Sequence, residues 1–100
     1  MIQVIVLLHH GPGGKAALDA YGAEVVPILH GHGGRMVSAS RPSEAREGDP
    51  DAIDIIQFET AAGYEGFRND PRHAGLIDMR QQAIRDVRLY ITDQFVTYID

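Results

Sequence analysis

One hundred residues, with fourteen acidic and nine basic side chains and a net charge of -5, predict one acidic domain spanning residues 1–100. The charge argues against a nucleic-acid backbone or an anionic membrane as the main partner. The absence of cysteine excludes disulfides, zinc–thiolate sites and a cysteine nucleophile.

Ile2 to Leu8, IQVIVLL, reads as a strand rich in β-branched residues. Alternation places Ile2, Val4, Val6 and Leu8 on one face and Gln3, Ile5 and Leu7 on the other. Both faces are apolar, so each needs a cover. The run is too short for a membrane span and lacks the positive leader of a signal peptide, which leaves a soluble, cytoplasmic protein as the expectation.

His9 to Gly14, HHGPGG, reads as a loop. With Lys15 it faintly resembles a phosphate-binding loop, but His9 and Ala16 stand where that motif needs glycine and a hydroxyl residue. Lys15 to about Gly31 reads as a helix, with Leu18, Tyr21, Val25, Ile28 and Leu29 on one apolar stripe. Pro27 predicts a kink or an early end. Arg35 to Arg41 is a weaker strand suited to a sheet edge, and 42–51 is a polar loop.

Ala52 to Glu59 is the clearest strand. Ile53 and Ile55 share a face with Gln57 and Glu59; Ile56 and Phe58 share the other with Asp54. Thr60 is placed to cap a helix whose apolar contacts are Tyr64 and Phe67. Asp70-Pro71 is a cap followed by proline at the first helical position. The second helix is expected to run on through Ile84, its buried stripe starting at His73 and including Leu76, Ile77, Ala83 and Ile84, with Arg80 among them. Val87 to Ile99 is the last strand.

The order strand, helix, strand, strand, helix, strand predicts an α+β, ferredoxin-like βαββαβ fold: an antiparallel sheet with both helices on one face. The other apolar face then requires a second molecule, which predicts a homodimer with sheets packed face to face.

The strand IIQFET, the helix start AAGYEGF and the block NDPRHAGLIDMRQQAI resemble the DUF1330 family. So do the run Glu47-Gly48, a tyrosine in the first helix and HGGR at His32 to Arg35. The resemblance implies a dimeric α/β barrel related to antibiotic-biosynthesis monooxygenases and EthD-like proteins, with a small organic ligand held between sheet and helices. It also places an arginine where Arg80 stands. Two features depart from the family pattern. HHGPGG replaces an Asp-containing turn, and Phe67 is nearest to the place of a large aromatic, often tryptophan.

An arginine on an apolar stripe must pair its guanidinium or reach water. Arg80 therefore reads either as a structural ion pair, with Glu59, Glu47 or an acid across the dimer, or as the anchor of a carboxylate or enolate. His32, at the closing turn of the first helix, is the histidine expected to line a pocket and accept a proton. Its plainer reading is a turn residue. Tyr21, Tyr64, Phe67 and Tyr90 suggest an aromatic wall, of which Tyr21, Tyr64 and Phe67, with Arg80, are the candidate ligand contacts; aromatic stripes at helical spacing also serve simply as core.

The five histidines show no metal-ligand spacing, no cofactor motif is present, and no G-x-S-x-G stands around Ser38 or Ser40. Two functions follow: a small-molecule-binding protein with cofactor-free proton-transfer or oxygenation chemistry, or a non-catalytic dimeric structural or regulatory module with a filled core. An RNA-recognition module shares the strand order, but its central strands carry exposed aromatics in a basic chain, which this sequence lacks.

Overall fold

The computed structural model describes residues 1–94. The central strand, β1 (Ile2–His10), lies antiparallel to β3 (Ala52–Phe58) on one side and to β4 (Ile84–Thr92) on the other. The edge strand β2 (Gly34–Ser40) pairs with β3, which gives the order β2-β3-β1-β4. Alternation along β1 decides the layers. Ile2, Val4, Val6 and Leu8 are buried, whereas Gln3, Ile5 and Leu7 are only half-buried. The registers carry this division across the sheet. Phe58, Ile56, Asp54 and Ala52 stand opposite Ile2, Val4, Val6 and Leu8 on the helix side; Gln57, Ile55 and Ile53 stand opposite Gln3, Ile5 and Leu7 on the outer side.

The helices all cover the first of these faces, as a ferredoxin-like fold requires. In α1 (Gly14–Gly31) the predicted stripe is the buried one: Leu18, Tyr21, Val25, Ile28 and Leu29. Pro27 does not end this helix. It sits on the exposed side with Ala23, whose carbonyl has no N–H to accept from at position 27. Thr60 caps α2 (Ala61–Arg68) by accepting a hydrogen bond from the Gly63 N–H at 3.0 Å. Tyr64 and Phe67 of α2 pack on Phe58, with ring centroids 5.4 and 5.8 Å away. Asp70 caps the single turn α3 (Pro71–Ala74), accepting from the Arg72 N–H.

Three boundaries differ from the sequence expectation. His9 and His10 extend β1 rather than opening the loop, with a register shift between them. The second helix is broken at Gly75-Leu76 into α3 and α4 (Ile77–Ala83), and the break turns Ile77, expected on the buried stripe, out to solvent. The last strand begins at Ile84, which the stripe had assigned to the helix, and the expected continuation over 95–99 lies outside the described residues. The loop after β1 supplies the reason α4 stops. The N–H groups of Gly11 and Gly13 donate to the Ala83 and Gln82 carbonyls at 2.8 and 2.9 Å. A Cβ on Gly11 would come 2.7 Å from the Gln82 oxygen, so glycine permits this approach.

Phe58, Leu29 and Val4 are the largest fully buried side chains of the described core, with Leu29 0% exposed. Leu29→Ala is expected to lower stability by about 2–5 kcal/mol, read as a lower urea midpoint at unchanged slope.

Candidate functional site

Between sheet and helices lies a cavity of about 490 Å³. Its floor is the helix side of the sheet, from Met36 and Ala39 on β2 to Val87 and Leu89 on β4, and α1 supplies part of its roof. The polar side chains within it are few: Arg68, in the last turn of α2, and two groups.

The first group is Tyr21, His73 and Arg80. Tyr21 arrives on the buried stripe of α1, His73 on the single turn α3, and Arg80 from the last turn of α4. The Tyr21 hydroxyl is 3.4 Å from His73 Nε2. Burial raises the Tyr21 pKa, and the Arg80 charge beside it acts in the opposite direction. Burial lowers the His73 pKa; a hydrogen bond to the Arg68 carbonyl opposes this, and the Arg80 charge adds to it. Both groups are therefore neutral at pH 7. Since Nε2 faces the Tyr21 hydroxyl, Nδ1 is the nitrogen left to donate to Arg68, and Nε2 becomes the acceptor. The Phe67 ring lies against the His73 imidazole, with centroids 4.5 Å apart, and fixes its plane.

Arg80 is exposed as a residue while its side chain lines the cavity. Among the described residues no carboxylate lies within ion-pair distance of it, so neither Glu59 nor Glu47 takes the role of partner. Tyr64 and Phe67 also line the cavity while belonging to the core. Tyr90 does not line it: it stands opposite Ile5 on the outer face, half exposed.

His32 lies elsewhere. Its Nε2 is 2.7 Å from Asp70 Oδ2, and its ring rests on α2 where Gly66 leaves room. A Cβ at Gly66 would come 2.8 Å from His32 Nδ1. His32 thus clasps the end of α1 to α2 and α3, and His73 is the histidine in the cavity. The sequence offered one signal for the exchange: His73 falls one turn before Ile77 and two before Arg80, on the stripe already read as inward-facing.

The second polar group is Asp54, with Arg41 and Asp19 near the β2 edge. Arg41 is ion-paired with Asp19. Burial raises the Asp54 pKa, and the Arg41 charge opposes it. Among the described residues no three His, Cys, Asp or Glu side chains gather as metal ligands. No described helix is long and apolar enough to cross a membrane.

The sequence matches the family described as a domain of unknown function, DUF1330, over residues 7–95, and the chain belongs to that family. Among curated proteins, none matches. Solved structures share the fold. A protein of unknown function from Rhodopseudomonas palustris, RPA0582, superposes with a TM-score of 0.79 at 21% identity, covering 96% of this chain and 83% of its own. A putative antibiotic biosynthesis monooxygenase from Nitrosomonas europaea gives 0.72 at 10% identity over 96% of this chain and all of its own. A dabb family protein with a ferredoxin-like fold from Mesorhizobium loti gives 0.67 at 12% identity, over 95% and 97%.

The Asp70 clasp makes a pH prediction. The Arg72 side chain, then His32 and the Arg72 backbone N–H, hold the Asp70 carboxyl well below the usual carboxylate range. A folded pKa below the unfolded one stabilises above about pH 4, and that contribution is lost as pH falls further. Asp70→Asn is expected to lower the urea midpoint at pH 7 and to flatten its decline between about pH 4 and pH 2.

Proposed function

We propose that this chain is a one-domain, cytoplasmic homodimer that binds a small organic ligand in the cavity between sheet and helices. Arg80 holds the ligand's anionic end, a carboxylate, phenolate or enolate, which its planar fork suits. Tyr21, Tyr64 and Phe67 contact the apolar body. The observation that carries the reading is a guanidinium with no carboxylate partner among the described residues, in a mostly apolar cavity, next to a neutral tyrosine–histidine pair.

That pair suits proton transfer. His73 Nε2 accepts a proton from the ligand, directly or through the Tyr21 hydroxyl, while Arg80 stabilises the negative charge left behind. His32, the other histidine considered for this step, acts in this reading as the clasp on Asp70. Cofactor-free oxygenation is one version of the chemistry, and the fold shared with a putative monooxygenase is consistent with it. The filled core expected of a purely structural module is not what the cavity suggests.

The second subunit follows from the outer face of the sheet. Ile5, Leu7, Ile53, Ile55 and Tyr90 stand there with no helix above them. A polar row at one end, Arg35–Gln57–Gln3, is joined by hydrogen bonds of 2.9 and 3.1 Å. An apolar patch with a polar margin fits an interface.

Calorimetric titration with a panel of phenols, quinols, keto acids and aromatic acids tests the site. Arg80→Gln is expected to weaken binding of the acids about tenfold or more, the loss of a charge-assisted contact. Tyr21→Phe and His73→Ala are expected to reduce any turnover far more than affinity. If no member of the panel binds, or Arg80→Gln binds the acids as well as the unaltered protein does, the proposal fails.

A further inference from the structure

Asp54 is a carboxylate of the cavity that the proposed chemistry leaves unused and that no ion pair among the described residues takes up. It occupies a position where strand alternation calls for an apolar residue: Ala52 and Ile56 flank it on the same face of β3, and Val6 and Ala39 stand opposite it on β1 and β2. Its side chain is partly buried and lines the cavity. The nearby cation compensates it only in part: the Arg41 charge opposes the effect of burial, but its guanidinium is ion-paired with Asp19 on α1 and forms no ion pair with Asp54. Among the described residues no hydrogen-bond donor reaches the Asp54 carboxyl. A carboxylate set in an apolar wall without a donor is costly, and its acceptor oxygens are left for whatever enters the cavity.

The placement of the two polar groups is the second consideration. Asp54 is on β3, while Arg80 lies one turn before α4 runs into β4 at Ile84. Since β1 separates β3 from β4, those strands are two spacings apart, about 10 Å. Apolar lining, from Val6, Ile56 and Leu89 among others, lies between the two polar groups. A cavity of about 490 Å³ accommodates a molecule of one or two rings.

We infer that Asp54 recognises a hydrogen-bond donor, a hydroxyl or an ammonium group, on the end of the ligand remote from the anion held by Arg80, so that the cavity selects aromatic acids carrying such a donor. The inference rests on the ligand-binding reading above and narrows it to a substrate class. Asp54 is a specificity residue in this arrangement: its role is to leave an acceptor unsatisfied whenever a ligand lacks the donor, the situation in which a polar site rejects an analogue most strongly.

The test uses three matched pairs of acids of increasing length: benzoate, phenylacetate and cinnamate, each with and without a para-hydroxyl group. 4-(Aminomethyl)benzoate serves as the ammonium probe. Dissociation constants at pH 7 are measured for the unaltered protein and for Asp54→Leu, which keeps the wall filled and removes the acceptor. The expected result is that one donor-bearing acid, of whichever length fits, binds at least about tenfold more tightly than its plain counterpart. In Asp54→Leu that preference disappears while the plain acids bind at least as well. A preference for the ammonium over the hydroxyl probe identifies a charged donor and supports the same assignment. Equal binding of donor-bearing and plain acids by the unaltered protein, or a preference that survives in Asp54→Leu, overturns it and leaves the Arg80 site standing. Failure of every acid to bind overturns both. Thermal unfolding keeps the variant interpretable: removing a desolvated carboxylate is expected to leave the melting temperature at pH 7 unchanged or higher.

Discussion

The strands β1 and β3 are apolar on both faces, and the chain has helices for only one. Ile2, Val4, Val6 and Leu8 go under α1 and the helices that follow β3; Ile5, Leu7, Ile53 and Ile55 do not. The rest of the molecule responds to this inequality. On the covered side the helices do not fill the whole space above the sheet, and what remains is a cavity floored by aliphatic side chains. On the other side an apolar strip lies beside a polar row, the arrangement of a surface that meets a partner.

The polar groups in the cavity stand out against that background. An interior of aliphatic side chains gives the Tyr21 phenol and the His73 imidazole little competition from water, so the position of each matters more than it would at the surface. Their placement rests on ordinary folding devices. Asp70 caps α3 and holds His32, which fixes the turn that carries His73. The glycines of the loop after β1 take up the last carbonyls of α4, the helix that carries Arg80. The residues that support the site are thus distinct from the residues that line it.

Much of this was legible in the chain. Helical spacing identified the buried stripe of α1 residue by residue, and strand alternation separated Ile56 and Phe58 from Ile53 and Ile55. Thr60 and Asp70 announced their caps. The end of the second helix was not legible, because Ala83 and Ile84 continue a plausible helical stripe; only the approach of Gly11 and Gly13, about seventy residues earlier in the chain, ends it. For the same reason His32 looked like a pocket residue. Its attachment to Asp70 depends on how α1 meets α3, which no local pattern records. Arg80 was legible as an anomaly on its stripe, but that no acid among the described residues answers it required three-dimensional neighbours.

The proposed homodimer places a second copy of this chain over the outer face of the sheet. Sedimentation equilibrium at micromolar concentration tests it most directly. A mass twice that of the 11.0 kDa chain, falling toward the monomer value when Ile55 is replaced by Asp, is the predicted result. A mass of one chain at every concentration, with the Ile5–Ile55 surface open to water, would contradict it.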